Sequence, residues 1–108
     1  MVSNRVKSYL GFARKAGKLS AGYNTCLARM KDISLLILAE DVSENSMEKL
    51  TGAAEKTGTK WIVYGTGEEL SAACGMTGRN IFGVEDENLS EAILKAYTGR
   101  CFNDDKNL

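Results

Sequence analysis

Histidine and proline are absent from this chain of 108 residues. The first absence removes the side chain most often used as general base or metal ligand near neutral pH, so the sequence points away from an enzyme. The second removes rigid linkers and leaves glycine to punctuate the fold. Cysteine is scarce as well. Cys26, Cys74 and Cys101 are odd in number and far apart, with no CxxC pair, so neither a disulfide framework nor a zinc site is suggested. Reduced thiols are expected, Cys26 and Cys74 packed as small apolar residues, with no metal or cofactor. Long apolar runs are missing too. The longest, Leu35 to Ala39, falls far short of the roughly 20 residues that span a bilayer, and the opening MVSNRVK lacks the apolar block of a secretory signal. The expectation is a cytoplasmic protein with no membrane partner.

What is present suffices for one core. Apolar content of 44% and charged content of 26% are ordinary for a globular protein. The length suits one domain, taken as residues 1–100, with a polar tail over 101–108. The most telling shortage is of acid at one end. Residues 1–31 carry Arg5, Lys7, Arg14, Lys15, Lys18, Arg29 and Lys31 and no carboxylate, while all 14 acids lie beyond them. A net charge of zero therefore conceals a basic third followed by an acidic remainder. Such asymmetry points to a polyanionic partner met on one face, although basic side chains on an amphipathic helix are often only its solvated side.

Glycines and cap residues cut the chain into alternating helical and extended pieces. A first helix is predicted from about Asn4 to Ala16, with an apolar stripe at Val6, Tyr9, Leu10 and Ala13 and Gly17 as terminator. A short strand over Lys18–Ala21 precedes a helix from about Asn24 to Met30. The run SLLILA, Ser34 to Ala39, reads as a central strand buried on both faces. Ser43 caps a helix from Glu44 to Thr57, ended by Gly58, and KWIVY, Lys60 to Tyr64, is the next strand. Thr66 and Glu69 have capping-box spacing before a short helix that stops at Gly75. Asn80–Val84 gives a further strand and Asn88–Thr98 a last helix. This alternation implies a sheet covered by helices on both faces, largely parallel where helices join neighbouring strands.

Four stretches are candidates for chemistry. Glu40, Asp41 and Glu44 follow the central strand, where acids can serve catalysis, but at a helix start they more simply complement free amides. Gly65-Thr66-Gly67 opens like a phosphate loop, yet Leu70 replaces the third glycine and the capping box already accounts for Thr66 and Glu69. Gly22-Tyr23-Asn24-Thr25 places a glycine turn and a side-chain amide at a helix start inside the basic third. Asn24 offers a donor and an acceptor together, the pair needed to read a base edge, and an asparagine here also suits a plain N-cap. Gly75-Met76-Thr77-Gly78-Arg79 sets glycines around a flexible apolar side chain, which lets backbone approach a partner and Met76 pack on an unstacked base. An ordinary helix-to-strand connection would read similarly.

With GFARKAGKLSAGYN at Gly11–Asn24, LLILAEDVSEN at Leu35–Asn45 and LSAACG at Leu70–Gly75, the sequence resembles the ribosomal protein L7Ae/L30e-like family of kink-turn RNA-binding proteins, in its short bacterial ribosome-associated form. The resemblance spans Arg5 to about Thr98. It implies a three-layer α/β/α sandwich around a four-stranded mixed sheet, no enzyme activity, and RNA as partner, ribosomal RNA above all, with ribosomal proteins nearby. Against the family signature G-x-N-E-x-x-K, Gly22 and Asn24 match, whereas Thr25 stands for Glu and Ala28 for Lys; Arg29 and Lys18 are the bases closest to replacing that Lys. Ser71 replaces a glycine common in the fourth helix. The candidate RNA-binding set is Lys15, Lys18, Gly22, Tyr23, Asn24, Thr25, Arg29, Gly75, Met76, Thr77 and Arg79. Two other classes remain open: a protein-interaction module using the acids Glu85, Asp86, Glu87 and Glu91, and a small enzyme centred on Glu40 and Asp41.

Overall fold

Ser3 starts the first helix by accepting a hydrogen bond from the Val6 amide at 3.2 Å, and α1 then runs Asn4–Lys15. It ends where Gly17 takes a left-handed φ of 71°, which turns the Gly17 and Lys18 amides back onto the Arg14 and Ala13 carbonyls. The computed structural model describes residues 2–98, so the expected tail and Cys101 lie outside the described residues. After α1 come β1 (Leu19–Ala21), α2 (Tyr23–Ala28), a 3-10 turn (Met30–Asp32) and β2 (Leu35–Leu38). Then follow α3 (Glu44–Thr57), β3 (Lys60–Val63), α4 (Gly67–Ala73), β4 (Ile81–Val84) and α5 (Glu87–Thr98). Every expected element is present. The largest boundary difference is at α2, which closes at Ala28 because Arg29 leaves helical backbone and the 3-10 turn takes over.

Periodicity decides which faces are buried. Val6, Leu10 and Ala13 of α1 are buried completely, and all four residues of β2 and of β4 are buried, as expected of strands covered on both sides. α1, α4 and α5 pack together over one face of the sheet; α2, α3 and the 3-10 turn cover the other. The result is the three-layer α/β/α sandwich with a four-stranded mixed sheet. Tyr64 closes the α1–α5 layer: its ring meets Tyr97 edge-on at 5.2 Å, and its hydroxyl accepts from the Ser3 amide at 2.8 Å. Both Cys26 and Cys74 are buried, and burial pushes their thiols up to about 12 and about 11, which makes them packing residues rather than nucleophiles.

The sheet order is β1-β4-β2-β3. Only β2 and β3 pair in parallel; β4 runs antiparallel to both β1 and β2. The expectation of a largely parallel sheet therefore holds for the β2–α3–β3 unit alone. Between β3 and β4 the chain does not cross the sheet. The seven residues of α4 rise about 10 Å, and the loop after them brings the chain back to the edge it left. Both ends of the excursion are fastened to the end of β2: the Gly67 amide donates to the Asp41 carboxylate at 3.2 Å, and the Ala39 amide to the Asn80 carbonyl at 2.9 Å.

Leu36 lies in the middle of β2 with no accessible surface. Leu36→Ala should lower the unfolding free energy by about 2–5 kcal/mol, measured by urea titration, with α-helical circular dichroism retained in the folded fraction. A loss under 1 kcal/mol would mean the site is not in the packed core.

Candidate nucleic-acid interface

Because β1, β2 and β3 share a direction and β4 opposes it, the ends of the first three strands and the start of the fourth meet at one sheet edge. The Gly22 amide donates to the Ile81 carbonyl at 2.8 Å, joining the residue that opens α2 to the residue that follows the 75–80 loop. Two stretches some fifty positions apart in sequence, the Gly22–Thr25 turn and the Gly75–Arg79 loop, thus arrive side by side.

The turn into α2 needs glycine. Gly22 has φ 99° and ψ 157°, a conformation that a Cβ would strain, and it is the N-cap, without any side-chain cap bond. Asn24 accordingly falls inside the helix rather than at its cap. It is exposed, as is Thr25, while Tyr23 packs partly against the core. Among the described residues the Asn24 amide has no hydrogen bond, so donor and acceptor both remain available to a ligand.

The loop is held from three directions. Gly75 takes φ 70°, and the Met76 amide returns to the Ser71 carbonyl at 2.8 Å, ending α4 in a Schellman-type turn. Arg14 Nη1 donates to the carbonyls of Cys74 at 2.6 Å and Gly75 at 3.1 Å, where the end of a helix favours a cation. The buried Ser71 hydroxyl donates to the Arg79 carbonyl at 2.7 Å and accepts from its amide at 2.9 Å. Thr77, Gly78 and Arg79 stay exposed, and Met76 packs partly on the core beside an open depression of about 600 Å³ bounded by Asp41, Ser71, Thr77 and Asn80.

The remaining candidates lie elsewhere. Arg29 donates to both Glu85 carboxylate oxygens at 2.7 Å, and Ser20 donates to the same carboxylate. Glu85 follows β4, so this pair sits at the opposite sheet edge. The Glu85 amide also donates to the Lys18 carbonyl at 2.8 Å. The two bases closest to replacing the family lysine at Ala28 are therefore gathered around an acid, and neither is brought to the Asn24 edge. Lys15 is exposed on the last turn of α1. Arg14, Ser71 and Asp41 emerge as positioning residues that sequence reasoning missed. Asp41, expected to complement the start of α3, turns instead to α4, while Ser43 caps α3 through the Ser46 amide at 3.2 Å. No cluster of ligating side chains able to hold a metal ion occurs among the described residues. No helix of the described chain is long and apolar enough to cross a membrane.

Residues 4–94 match the Ribosomal protein L7Ae/L30e/S12e/Gadd45 family, and the chain belongs to it. A solved structure of a protein with unknown function from Bacillus halodurans C is similar, with a TM-score of 0.81 and 24% identity over 85% of this chain and 95% of that one. The Giardia lamblia 15.5kD RNA binding protein is similar with a TM-score of 0.70 and 17% identity, over 84% of this chain and 80% of that one. At these identities the likeness is one of fold. No curated protein matches the chain.

Two outcomes are expected. Ser71→Ala removes one hydroxyl that satisfies two backbone groups of Arg79, and should cost about 1–3 kcal/mol and speed hydrogen exchange at the Arg79 amide. Unchanged exchange there would show that the hydroxyl does not hold the loop. The Arg29 hydrogen bonds are the main cause holding the Glu85 carboxyl below its ordinary value, with Ser20 adding to them against the opposing effect of burial. A lowered folded pKa gives stability that is complete above the unfolded value of about 4.3 and is lost as pH falls through the folded one. Glu85→Gln should therefore flatten the stability profile below about pH 4.3, read from urea midpoints; an unaltered slope would rule out this linkage.

Proposed function

We propose that this chain binds structured RNA of the kink-turn type, ribosomal or ribosome-associated, in the cytoplasm. The observation that carries the reading is the shared edge: Asn24, exposed and unengaged, beside a backbone-rich loop with Met76 and Thr77. Asn24 has the paired donor and acceptor that a guanine or adenine edge requires. The loop contributes backbone groups between two left-handed glycines and a depression of about 600 Å³ in which an unstacked base can lie against Met76. Membership of a family with ribosomal proteins, and the likeness to an RNA binding protein from Giardia lamblia, support the same partner.

Electrostatics supports attraction but assigns it loosely. Lys7 and Lys15 are exposed, and neither forms an ion pair among the described residues, so their charge is available to phosphate, whereas Lys18 lies close to Glu85. The charge of Arg29 is not available, since Glu85 neutralises it. With Thr25 and Ala28 at the two departing positions, the edge supplies one amide where the family signature supplies an amide, an acid and a lysine. RNA affinity should accordingly be modest and governed by salt.

Calorimetric titration with a kink-turn RNA and an unbent duplex of equal length tests the reading. Asn24→Ala should lose about 1–3 kcal/mol of discrimination while leaving duplex binding unchanged. The double variant Thr25→Glu, Ala28→Lys, on two exposed positions, should tighten kink-turn binding about tenfold or more. Equal affinity for both RNAs removes the kink-turn proposal. Absence of any RNA binding at low salt would favour a protein-interaction role for the acidic surface around Glu85, Glu87 and Glu91.

A further inference from the structure

The outer face of α1 has no part in the shared edge, yet it combines two features seldom left together in water. Phe12 is 57% exposed, the largest exposure among the large hydrophobic residues described. On the helix, Arg5, Ser8, Phe12 and Lys15 are spaced three, four and three apart, so they form one stripe opposite the buried Val6, Leu10 and Ala13. All four are exposed, and neither Arg5 nor Lys15 pairs with a carboxylate among the described residues.

The surroundings preserve this positive character. α1 contains no acid. The neighbouring α5 turns Glu87 and Glu91 to a different depression, which Lys31 and Lys60 also line. By helical spacing its opposite flank carries Ala92 and Ala96. On α4, Glu69 reaches back to the Thr66 amide at 3.0 Å, and Glu68 lines the depression beside the 75–80 loop. An exposed aromatic ring between two unpaired cations fits a single strand of nucleic acid: the ring offers a stacking surface to one base, and the cations on either side of it along the helix can meet phosphates. An apolar protein partner would leave Arg5 and Lys15 buried without counter-charge, which is costly.

We infer that this stripe is a second RNA-binding surface, with Phe12 stacking on an unpaired base and Arg5 and Lys15 holding the adjoining phosphates. The inference rests on the reading of the chain as an RNA-binding protein, and apart from Lys15 it uses different residues. A single-stranded extension beyond a structured element is the ligand it fits.

NMR titration of the whole protein with an oligouridylate of about ten nucleotides separates the two proposals. Amide shifts are expected along Arg5–Lys15, and Phe12→Ala should weaken this binding about five- to a hundredfold while the thermal midpoint stays within a few degrees. Phe12→Tyr, which keeps a ring, should restore it. Lys15→Ala should weaken it and lower its salt dependence. Kink-turn RNA, titrated in parallel, should perturb Asn24 and Thr77 and bind Phe12→Ala as it binds the parent. Shifts confined to the Asn24 edge, equal affinity of Phe12→Ala for oligouridylate, or a self-association of the protein abolished by Phe12→Ala would overturn the second surface. Loss of kink-turn binding with retained oligouridylate binding on α1 would instead overturn the function proposed for the Asn24 edge.

Discussion

The antiparallel insertion of β4 between β1 and β2 is the constraint from which the candidate interface follows. A strand entering from the edge where its neighbours end must begin there, so whatever precedes β4 is delivered beside whatever follows β1, β2 and β3. The Gly22–Ile81 and Ala39–Asn80 hydrogen bonds express that delivery directly. The excursion through α4 returns through a left-handed turn at Gly75, and Arg14 and Ser71 fasten the loop on either side. Packing supplies the rest. β2 and β4 are buried on both faces, so their register cannot slip without exposing the core.

Charge is distributed by this same topology. The sequence concentrates its bases in the first third, but folding does not keep them together. Arg29 is drawn to Glu85 at the far edge, with Lys18 close to the same acid, Arg14 is spent on helix-end carbonyls, and Arg5 and Lys15 line the outer side of α1. A basic third in the chain thus becomes several small surfaces in the fold. The edge that carries Asn24 is polar rather than strongly positive. Recognition there depends on hydrogen-bond geometry and shape, and attraction comes from bases placed around it.

Features encoded locally were legible in the sequence. Ser43 and Gly58 bracket α3 at the expected residues, Thr66 and Glu69 form the expected capping box, and SLLILA is the buried strand its composition implied. The Gly22–Asn24 turn stood out as a glycine followed by a side-chain amide at a helix start, the family resemblance pointed to the same residues, and the structure accounts for Gly22 by its positive φ. What could not be read depends on partners far away. The Arg29–Glu85 pair spans 56 positions, the Asp41–Gly67 bond 26, and neither has a local signature. Helix-strand alternation suggested parallel pairing because an element string does not reveal whether a connecting helix carries its chain across the sheet or returns it to the same edge. Ser71, conspicuous only as a departure from glycine, is explained once its hydroxyl is seen on both backbone groups of Arg79.

The central claim is that two distant segments form one RNA-contacting edge. Hydrogen–deuterium exchange of the protein, alone and saturated with a kink-turn RNA, tests it most directly. Protection should appear together at residues 22–26 and 75–80, with little change around Arg29 and Glu85. Protection of only one of those segments, or of the Arg29–Glu85 edge instead, would contradict the account.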